Sequence, residues 1–226
     1  MNIKQCYLYL TDKLNKLSTN FNQNLAYHVA VRAINEAQYY WLDERLKLEE
    51  MNKTVQRELQ FLIEKEEPLL FESTTNYNEY HLPDNYYHPS LLEIEANLDG
   101  CLVGIENDFI ENANVSVYLH DEMTRPDYAW EQTFSTFRNN KLAVYKDTTP
   151  GYDISKIVFH YYRRPVLVDM ASSHVNVDGV LSTDIDLEFS ESASYEILDI
   201  AAKILAGNIN DRGRFQYNQS LSQEYK

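Results

Sequence analysis

The spacing of the apolar residues changes once along the chain, and this change limits the folds that the sequence can adopt. In the first segment, Leu10, Leu14 and Leu17 recur every three to four residues. That spacing is typical of an amphipathic helix with one buried face. Beyond residue 90 the apolar residues alternate with polar ones, a period of two that favours β-strands. We therefore predict an α+β chain, with helices first and an antiparallel sheet after them.

Residues 1–68 are predicted to form an N-terminal helical bundle of three helices. The second helix is predicted over residues 24–49, and its alanines recur at spacings of four, three and four, which lets a neighbouring helix pack closely. These alanines are Ala26, Ala30, Ala33 and Ala37. Pro68 should end the third helix, because proline disfavours helical backbone in the residue before it.

The rest of the chain is predicted to have four parts. These are a linker loop at residues 69–90, an antiparallel β subdomain at 91–190, a C-terminal helix at 191–207, and an extended docking tail at 208–226. The loop prediction follows from the polar, proline-containing composition of residues 71–89.

Specific elements of the β subdomain follow from short patterns. Asn139-Asn140 suits a two-residue hairpin turn, because asparagine tolerates positive φ. Ser190 can cap the C-terminal helix, which Gly207 should end. The predicted strands include residues 115–119, 133–138, 141–145, 156–163 and 185–189, and a second turn is predicted at Asp178-Gly179.

Composition excludes several classes of function. The chain of 226 residues carries a formal net charge of −15. A free-standing nucleic-acid binder needs a basic face, and so does a protein that docks on an anionic membrane. No phosphate-binding glycine motif is present, and the two cysteines, Cys6 and Cys101, lie too far apart in sequence to form a metal knuckle. We expect a soluble protein that is made in the cytoplasm.

Two groups of residues are candidates for metal binding or catalysis. His81, Asp84 and His88 share one predicted loop, but their spacing is not that of a zinc site, and an ordinary polar loop is favoured. The carboxylates cluster in two places, but in a chain with 35 acidic residues a solvated surface is the better interpretation. These clusters are Glu106, Asp108 and Glu111, and Asp121, Glu122 and Asp127. We predict no catalytic residue, metal or cofactor.

Aromatic and basic residues occur together in two places. Tyr161-Tyr162-Arg163-Arg164-Pro165 has three interpretations: a strand end with buried tyrosines and paired arginines, which is favoured, a nucleic-acid contact, or a protein interface. The tail contains a compact basic and aromatic peptide that suits docking on an acidic neighbour. The interface candidates are Tyr86, Tyr87, Tyr161, Arg163, Arg164, Arg212, Arg214, Phe215 and Tyr217.

Several short motifs occur in an order that resembles the head-to-tail connector (ring or adaptor) proteins of tailed bacteriophages, in particular those of crAss-like phages. The resemblance covers about residues 24–210, and the order of the motifs carries it. The motifs are Leu82-Pro83-Asp84-Asn85-Tyr86-Tyr87, Leu119-His120-Asp121, Arg125-Pro126, Trp130-Glu131-Gln132-Thr133, Asn139-Asn140-Lys141-Leu142-Ala143-Val144-Tyr145, Tyr161-Tyr162-Arg163-Arg164-Pro165, Asp178-Gly179 and Glu196-Ile197-Leu198-Asp199-Ile200-Ala201.

The resemblance implies a structural virion protein without enzymatic activity. Such a protein forms a dodecameric ring in the phage neck, extends the DNA channel and docks tail proteins. The implied partners are further copies of the chain, the portal protein, other neck-ring and tail proteins, and passing double-stranded DNA without sequence-specific contacts. No membrane partner is implied, and the protein would be made in the host bacterial cytoplasm.

Two other functions remain open at this stage. One is a virion-associated peptidoglycan hydrolase that uses a carboxylate pair such as Asp121 and Asp127. The other is a small intracellular binding protein that acts as a monomer or dimer.

Overall fold

The computed structural model describes residues 1–15, 25–49, 57–171 and 181–208. The chain divides into two compact units, Met1–Phe61 with Pro165–Lys226, and Leu62–Arg164. The first unit contains the long helices, and the second contains an eight-stranded curled sheet. The fold is therefore mixed α and β.

The described elements have the following bounds. The helices are α1 (Ile3–Asn15), α2 (Tyr27–Glu49), α3 (Val115–His120) and α4 (Glu191–Asn208). The strands are β1 (Ile63–Glu66), β2 (Leu70–Ser73), β3 (Tyr77–His81), β4 (Tyr86–Leu98), β5 (Cys101–Phe109), β6 (Gln132–Arg138), β7 (Lys141–Tyr145) and β8 (Tyr152–Arg163). Residues 57–59 are also helical, and 3₁₀ turns occupy Gln60–Leu62 and Asn112–Asn114.

In the helical unit, α4 packs against both α1 and α2. The predicted apolar face of α1 is buried through Ile3, Cys6, Leu10 and Leu14. Small side chains on α2 and α4 allow close packing, because they place little volume between the helices. The fully buried ones are Ala30, Ala33 and Ala37 on α2, and Ala201, Ala202 and Ala206 on α4. Ala26, the first alanine of the predicted stripe, precedes α2 and is exposed.

A charged and aromatic cluster ties α2 to α4. The Trp41 Nε1 group donates to the Glu196 carboxylate at 2.7 Å, and Arg45 Nη2 binds the same carboxylate oxygen at 2.5 Å. The Lys13 ammonium pairs with Asp199 in the same way between α1 and α4. Both acids lie on α4, so this helix is held by ion pairs as well as by apolar burial.

The strand order in the second unit is β1-β8-β4-β5-β6-β7-β3-β2. All neighbouring strands are antiparallel except β5 and β6, which are parallel. The predicted antiparallel subdomain is thus corrected at this pair. A parallel pair needs a crossover connection, and residues 110–131 supply it.

The two ends of the strand order are consecutive in the chain. β1 and β2 are separated only by residues 67–69, and the pairing directions make them run the same way. One bent segment, with Pro68 at the bend, thus pairs with β8 through its first half and with β3 through its second half. The sheet curls because its outer strands belong to this single segment.

The two faces of the curled sheet bury separate clusters. Alternate residues of the strands point to opposite faces, so neighbours in sequence contribute to different clusters. The larger cluster includes Tyr80, Leu92, Ile94, Ala96, Ile105, Leu142, Val144, Ile154, Ile157, Phe159 and Tyr161. The smaller one consists of Phe134, Ala143 and Tyr145, with α3 packed over it through Val115 and Tyr118. Helix α3 therefore covers one patch of the outer surface of β6 and β7.

The linker loop predicted at residues 69–90 is wrong, because β2, β3 and the start of β4 occupy this range. Its tyrosines are good strand formers, and Tyr80 and Tyr86 pack their rings into the larger cluster. The predicted bundle boundary at residue 68 also moves, since residues 63–66 form β1. Residues 50–56 of the predicted third helix lie outside the described residues.

The predicted strand at residues 115–119 is also wrong, because these residues form α3. The Tyr118 ring packs edge-on against Phe134 at 5.4 Å between centroids, and this tertiary contact outweighs the strand preference of the valines. At residues 185–189 the structure has one isolated bridge, Asp169 to Ile185, instead of a strand.

Other local predictions are confirmed. Asn139 and Asn140 both have positive φ in the turn between β6 and β7. The Ser190 hydroxyl accepts from the Ala193 N–H at 3.3 Å, as expected for a helix cap. Helix α4 ends at Asn208, one residue beyond the predicted stop. The Asp178-Gly179 turn and residues 209–226 of the tail lie outside the described residues.

Candidate interaction surface

Tyr161, an interface candidate from the sequence, is buried inside the curled sheet. Only 2% of the residue is exposed, and its hydroxyl lies 3.1 Å from a Glu64 carboxylate oxygen and 2.9 Å from Asn85 Oδ1. Burial, followed by the Glu64 carboxylate, raises the pKa of Tyr161 above its ordinary value. The interface prediction for this residue is corrected: Tyr161 is a core residue at a strand end.

The Tyr86 ring also packs against the larger cluster of its own unit. Its ring lies 5.6 Å from Phe137 and 5.7 Å from Phe159 between centroids. Burial raises the pKa of the Tyr86 phenol. Its neighbour Tyr87 is half-buried. Tyr86 is itself half-buried, so its ring packs on the core while part of its surface stays exposed.

The two arginines after Tyr162 have different environments. Arg163 Nε lies 3.3 Å from a Glu64 carboxylate oxygen, and its Nη1 donates to the carbonyl of Arg164. Arg164 is exposed, and its backbone N–H donates to the Asn85 carbonyl at 2.7 Å. Within this motif, Arg164 is exposed, whereas Arg163 is half-buried. The remaining interface candidates, Arg212, Arg214, Phe215 and Tyr217, lie outside the described residues.

Two of the candidate metal ligands, His81 and His88, make other contacts. The His81 ring packs edge-on against Phe71 at 5.0 Å, and His88 Nδ1 lies 2.8 Å from the Pro89 carbonyl oxygen. Across the described ranges, no three His, Cys, Asp or Glu side chains form a group able to hold a metal ion. Asp84 is exposed.

The carboxylates of the crossover between β5 and β6 organise turns. Asp121 Oδ1 accepts from the Met123 N–H at 3.0 Å. Asp127 Oδ1 accepts from the N–H groups of Ala129 at 2.8 Å and Trp130 at 3.2 Å. One oxygen of each acid is thus engaged with backbone N–H groups of its own turn.

The crossover, residues 110–131, carries the exposed tryptophan Trp130, whereas the other tryptophan, Trp41, is buried. Asp127 and Gln132 exchange two backbone hydrogen bonds of 3.0 and 3.2 Å, which close the turn that carries Trp130. Glu131 completes the turn with φ of 55°, a left-handed conformation that is unfavourable for a residue with a Cβ atom. Trp130 is 67% exposed although every neighbouring backbone segment is fixed.

A second carboxylate anchors the turn from outside. Asp147 Oδ2 accepts from the Tyr128 N–H at 3.0 Å, and its other oxygen accepts from Thr149. Burial acts to raise the pKa of Asp147, but the N–H groups of Tyr128 and Thr149 outweigh it and lower the pKa overall. The carboxylate therefore stays ionised and holds the turn over the usual pH range.

Further apolar side chains are exposed in the same crossover. Met123 is 67% exposed and Val117 is 65% exposed. The Gln132 amide donates to the carbonyls of Met123 at 2.8 Å and Arg125 at 3.2 Å, which ties the Met123 turn to the start of β6 just after Trp130. We call Val117, Met123 and Trp130 the crossover patch.

Acidic side chains accompany the crossover patch. Glu122 and Glu131 are exposed, and among the described residues neither carboxylate has a cationic partner. Exposed apolar groups surrounded by polar ones are typical of a protein-binding surface. This arrangement can bind an apolar or aromatic segment that carries positive charge.

The sequence prediction missed the crossover patch. The alternation of Val115, Val117 and Leu119 predicts a strand, which gives no reason to expect an exposed surface on a helix. A usable signal was present in Asp127-Tyr128-Ala129-Trp130, where an aspartate begins a turn that ends on a large aromatic residue. Exposure of that aromatic residue depends on the crossover geometry, which the sequence pattern does not show.

No family model matches this chain, and no curated protein matches it. Within the described ranges, none of the helices has the length and apolar character needed to cross a bilayer.

Proposed function

We propose that the chain is a structural protein of the phage neck, a ring component between the portal and the tail. In this proposal, a dodecameric ring of identical copies extends the DNA channel and docks tail proteins. The helices before residue 62 would form the N-terminal bundle, and the residues after Asn208 the docking tail. The protein would reside in the virion after synthesis in the bacterial cytoplasm.

The crossover patch is the observation that best supports this proposal. An exposed tryptophan on a hydrogen-bonded turn is unfavourable for an isolated molecule in water, and burial against another protein recovers the apolar contribution. The motif order that resembles connector proteins points to the same class of function. Neither argument depends on an active site.

The net charge of −15 makes a specific prediction for ring assembly. Like charges on neighbouring copies repel one another, and salt screens exposed charges beyond about 8 Å at physiological ionic strength. We expect added salt to favour rings of the purified chain. Light scattering across a salt series measures this, and dissociation of rings as salt rises would contradict it.

The channel wall is proposed to be acidic or neutral. Lysine and arginine contacts with phosphates would retard the passage of DNA, because each such contact contributes to binding. A continuous band of basic side chains along the bore, in a structure of the assembled ring, would contradict this part of the proposal.

The direct test is the position of the chain in the particle. Electron micrographs of particles with an affinity label on the chain should place the label at the neck, in a closed ring. A label on the capsid surface, or no label in the particle, would contradict the proposal.

The hydrolase alternative is tested separately with Asp121→Asn and Asp127→Asn. Both acids already accept backbone hydrogen bonds within their turns. We expect no lysis of cell walls by the unchanged chain. Lysis that both substitutions abolish, without loss of folding, would favour the hydrolase.

A further inference from the structure

We infer that the crossover patch binds the basic and aromatic peptide Arg212–Tyr217 of a neighbouring copy of the same chain. The inference deepens the proposed function, because it names the contact that would join copies, and it rests on the association of copies. It requires no particular number of copies.

The apolar component of the site comes from rigid display of Trp130. The Asp127–Gln132 hydrogen bonds, the two N–H groups bound by Asp127, and the Asp147 anchor hold the turn in one conformation. A partner therefore meets an aromatic side chain whose backbone is already ordered. Such preorganisation reduces the entropy that binding would otherwise remove.

The electrostatic component comes from the surrounding carboxylates. Exposed Glu122 and Glu131 are next to Met123 and Trp130 in the sequence, and the crossover 110–131 contains five acidic residues against one cation, the exposed Arg125. A partner that places apolar surface on Trp130 must also bring positive charge, since an acidic or neutral segment would meet repulsion or leave these carboxylates unmatched.

The occupant is identified by its composition. Residues 212–217 have the sequence Arg-Gly-Arg-Phe-Gln-Tyr, with two cations, two aromatic rings and no acid. In a chain with 35 acidic and 20 basic residues, this peptide is the complement of the crossover patch in both charge and apolar character. Arginine and aromatic residues also contribute most to binding at protein interfaces.

The length of the chain after α4 makes a contact with a neighbour feasible. Residues 209–226 follow the last described residue, Asn208. An extended peptide spans about 3.3 Å per residue, so Tyr217 lies up to roughly 30 Å along the chain from the end of α4. When each copy donates one peptide and accepts one, the contact is head-to-tail, which is the type that closes rings.

The first experiment measures the peptide contact without requiring assembly. A full chain carrying Arg212→Glu and Arg214→Glu is titrated with a synthetic peptide of residues 209–226, and tryptophan emission is recorded. Trp41 is 2% exposed and gives a constant background, so a change reports Trp130. We expect saturable binding, weakened about tenfold when the peptide carries the same two Arg-to-Glu changes.

Matched surface variants define where the peptide binds. Adding Glu122→Lys and Glu131→Lys to the same chain should abolish binding of the native peptide and restore binding of the charge-reversed peptide. Glu72→Lys with Glu95→Lys changes the net charge equally, at exposed positions outside the crossover, and should leave binding unchanged. No saturable signal up to about 1 mM peptide, or equal binding by all chains, would overturn the inference.

The second experiment tests whether the contact joins different copies. The reversed-tail chain carries Arg212→Glu and Arg214→Glu, and the reversed-patch chain carries Glu122→Lys and Glu131→Lys. In sedimentation, each of these chains alone should fail to associate. Their equimolar mixture should associate, because each tail then meets a patch of opposite charge. Association of either chain alone, or no association of the mixture at concentrations where the unchanged chain associates, would overturn the contact between copies.

These outcomes are distinct from failure of the proposed function. If the peptide binds the patch but the assembly is a dimer outside the virion, the ring proposal fails and the contact stands. If a neck ring forms equally well with both reversed variants, the ring proposal stands and this contact is wrong.

Discussion

The end of β8 and the crossover between β5 and β6 both combine tyrosine or tryptophan with charged residues, but they use these residues in opposite ways. Tyr161 on β8 is 2% exposed, and Glu64 and Asn85 bind its hydroxyl. Trp130 in the crossover is 67% exposed and lies on a fixed turn. An aromatic residue on the inward side of a curled sheet stabilises the unit, whereas one at the end of a closed turn is available to a partner.

The largest effect on the free energy of unfolding is expected when Tyr161 is replaced by alanine. Tyr161→Ala removes a fully buried ring and the phenol hydroxyl that donates to Glu64 and Asn85, which keep their bond to each other at 2.7 Å. We expect a loss of about 3–5 kcal/mol in the free energy of unfolding, measured by urea denaturation. Tyr161→Phe keeps the ring, so its loss should be about 1 kcal/mol. Equal losses for the two variants would show that the ring is not packed as described.

The buried phenol of Tyr161 should also make the free energy of unfolding depend on pH in the alkaline range. The pKa of Tyr161 is raised in the folded chain, while an unfolded tyrosine ionises near pH 10. The folded chain thus keeps a proton on Tyr161 that the unfolded chain loses, so the contribution of Tyr161 to the free energy of unfolding is constant below pH 10 and falls as pH rises above it. The decline should be up to about 1 kcal/mol per pH unit.

The control for the pH experiment is Tyr161→Phe. Burial also raises the pKa values of Cys6, Tyr86 and Tyr152, so a decline should persist in the variant, but it should be shallower than in the unchanged chain. Denaturation at pH 9 and pH 11 measures both chains. An identical decline in the two would contradict the assignment to Tyr161.

Much of the fold could be predicted where the local pattern and the tertiary structure agree. The α1 stripe, the Asn139-Asn140 turn and the Ser190 cap each depend on residues within a few positions of one another, and each is present. The curl of the sheet depends on β1 and β2 being two halves of one segment, a long-range pairing that no local pattern encodes.

The interaction surface was harder to predict than the fold. Tyr161 and Trp130 are both large aromatic residues among charges, and composition cannot tell which of them is buried. The alternation of β8 places Tyr161 inward with Phe159, two residues earlier. Trp130 escapes burial because the parallel β5–β6 pair requires a crossover, and the sequence pattern indicated an antiparallel sheet there.

A smaller effect on stability is expected from glycine substitutions at Glu131, in the turn before β6, and at Asn140, in the turn between β6 and β7. Glu131 has φ of 55° and Asn140 has φ of 58°. Asparagine tolerates this conformation better than glutamate, so Glu131→Gly should stabilise the chain by about 0.5–1 kcal/mol, and Asn140→Gly should change stability less. Thermal denaturation compares the two variants. A clear loss for Glu131→Gly would mean that the turn is not strained.

The smallest effect on stability is expected from Trp130→Ala. The side chain is mostly exposed, so the free energy of unfolding should change by no more than about 0.5 kcal/mol in conditions where the chain is a monomer. Leu102→Ala, with 65% exposure on β5, is the matched control. A loss of about 2 kcal/mol or more for Trp130→Ala, without a similar loss for Leu102→Ala, is typical of a core residue and would contradict the exposure of Trp130.

The proposed function depends on copies of this chain closing into a ring, and native mass spectrometry of the full chain in a salt series tests that most directly. We predict a closed dodecamer that becomes more abundant as salt is added, because screening of the repulsion between copies of net charge −15 should outweigh the weakening of a tail contact that uses two arginines. A monomer or dimer at every salt concentration, both alone and after addition of the portal assembly, would contradict the account.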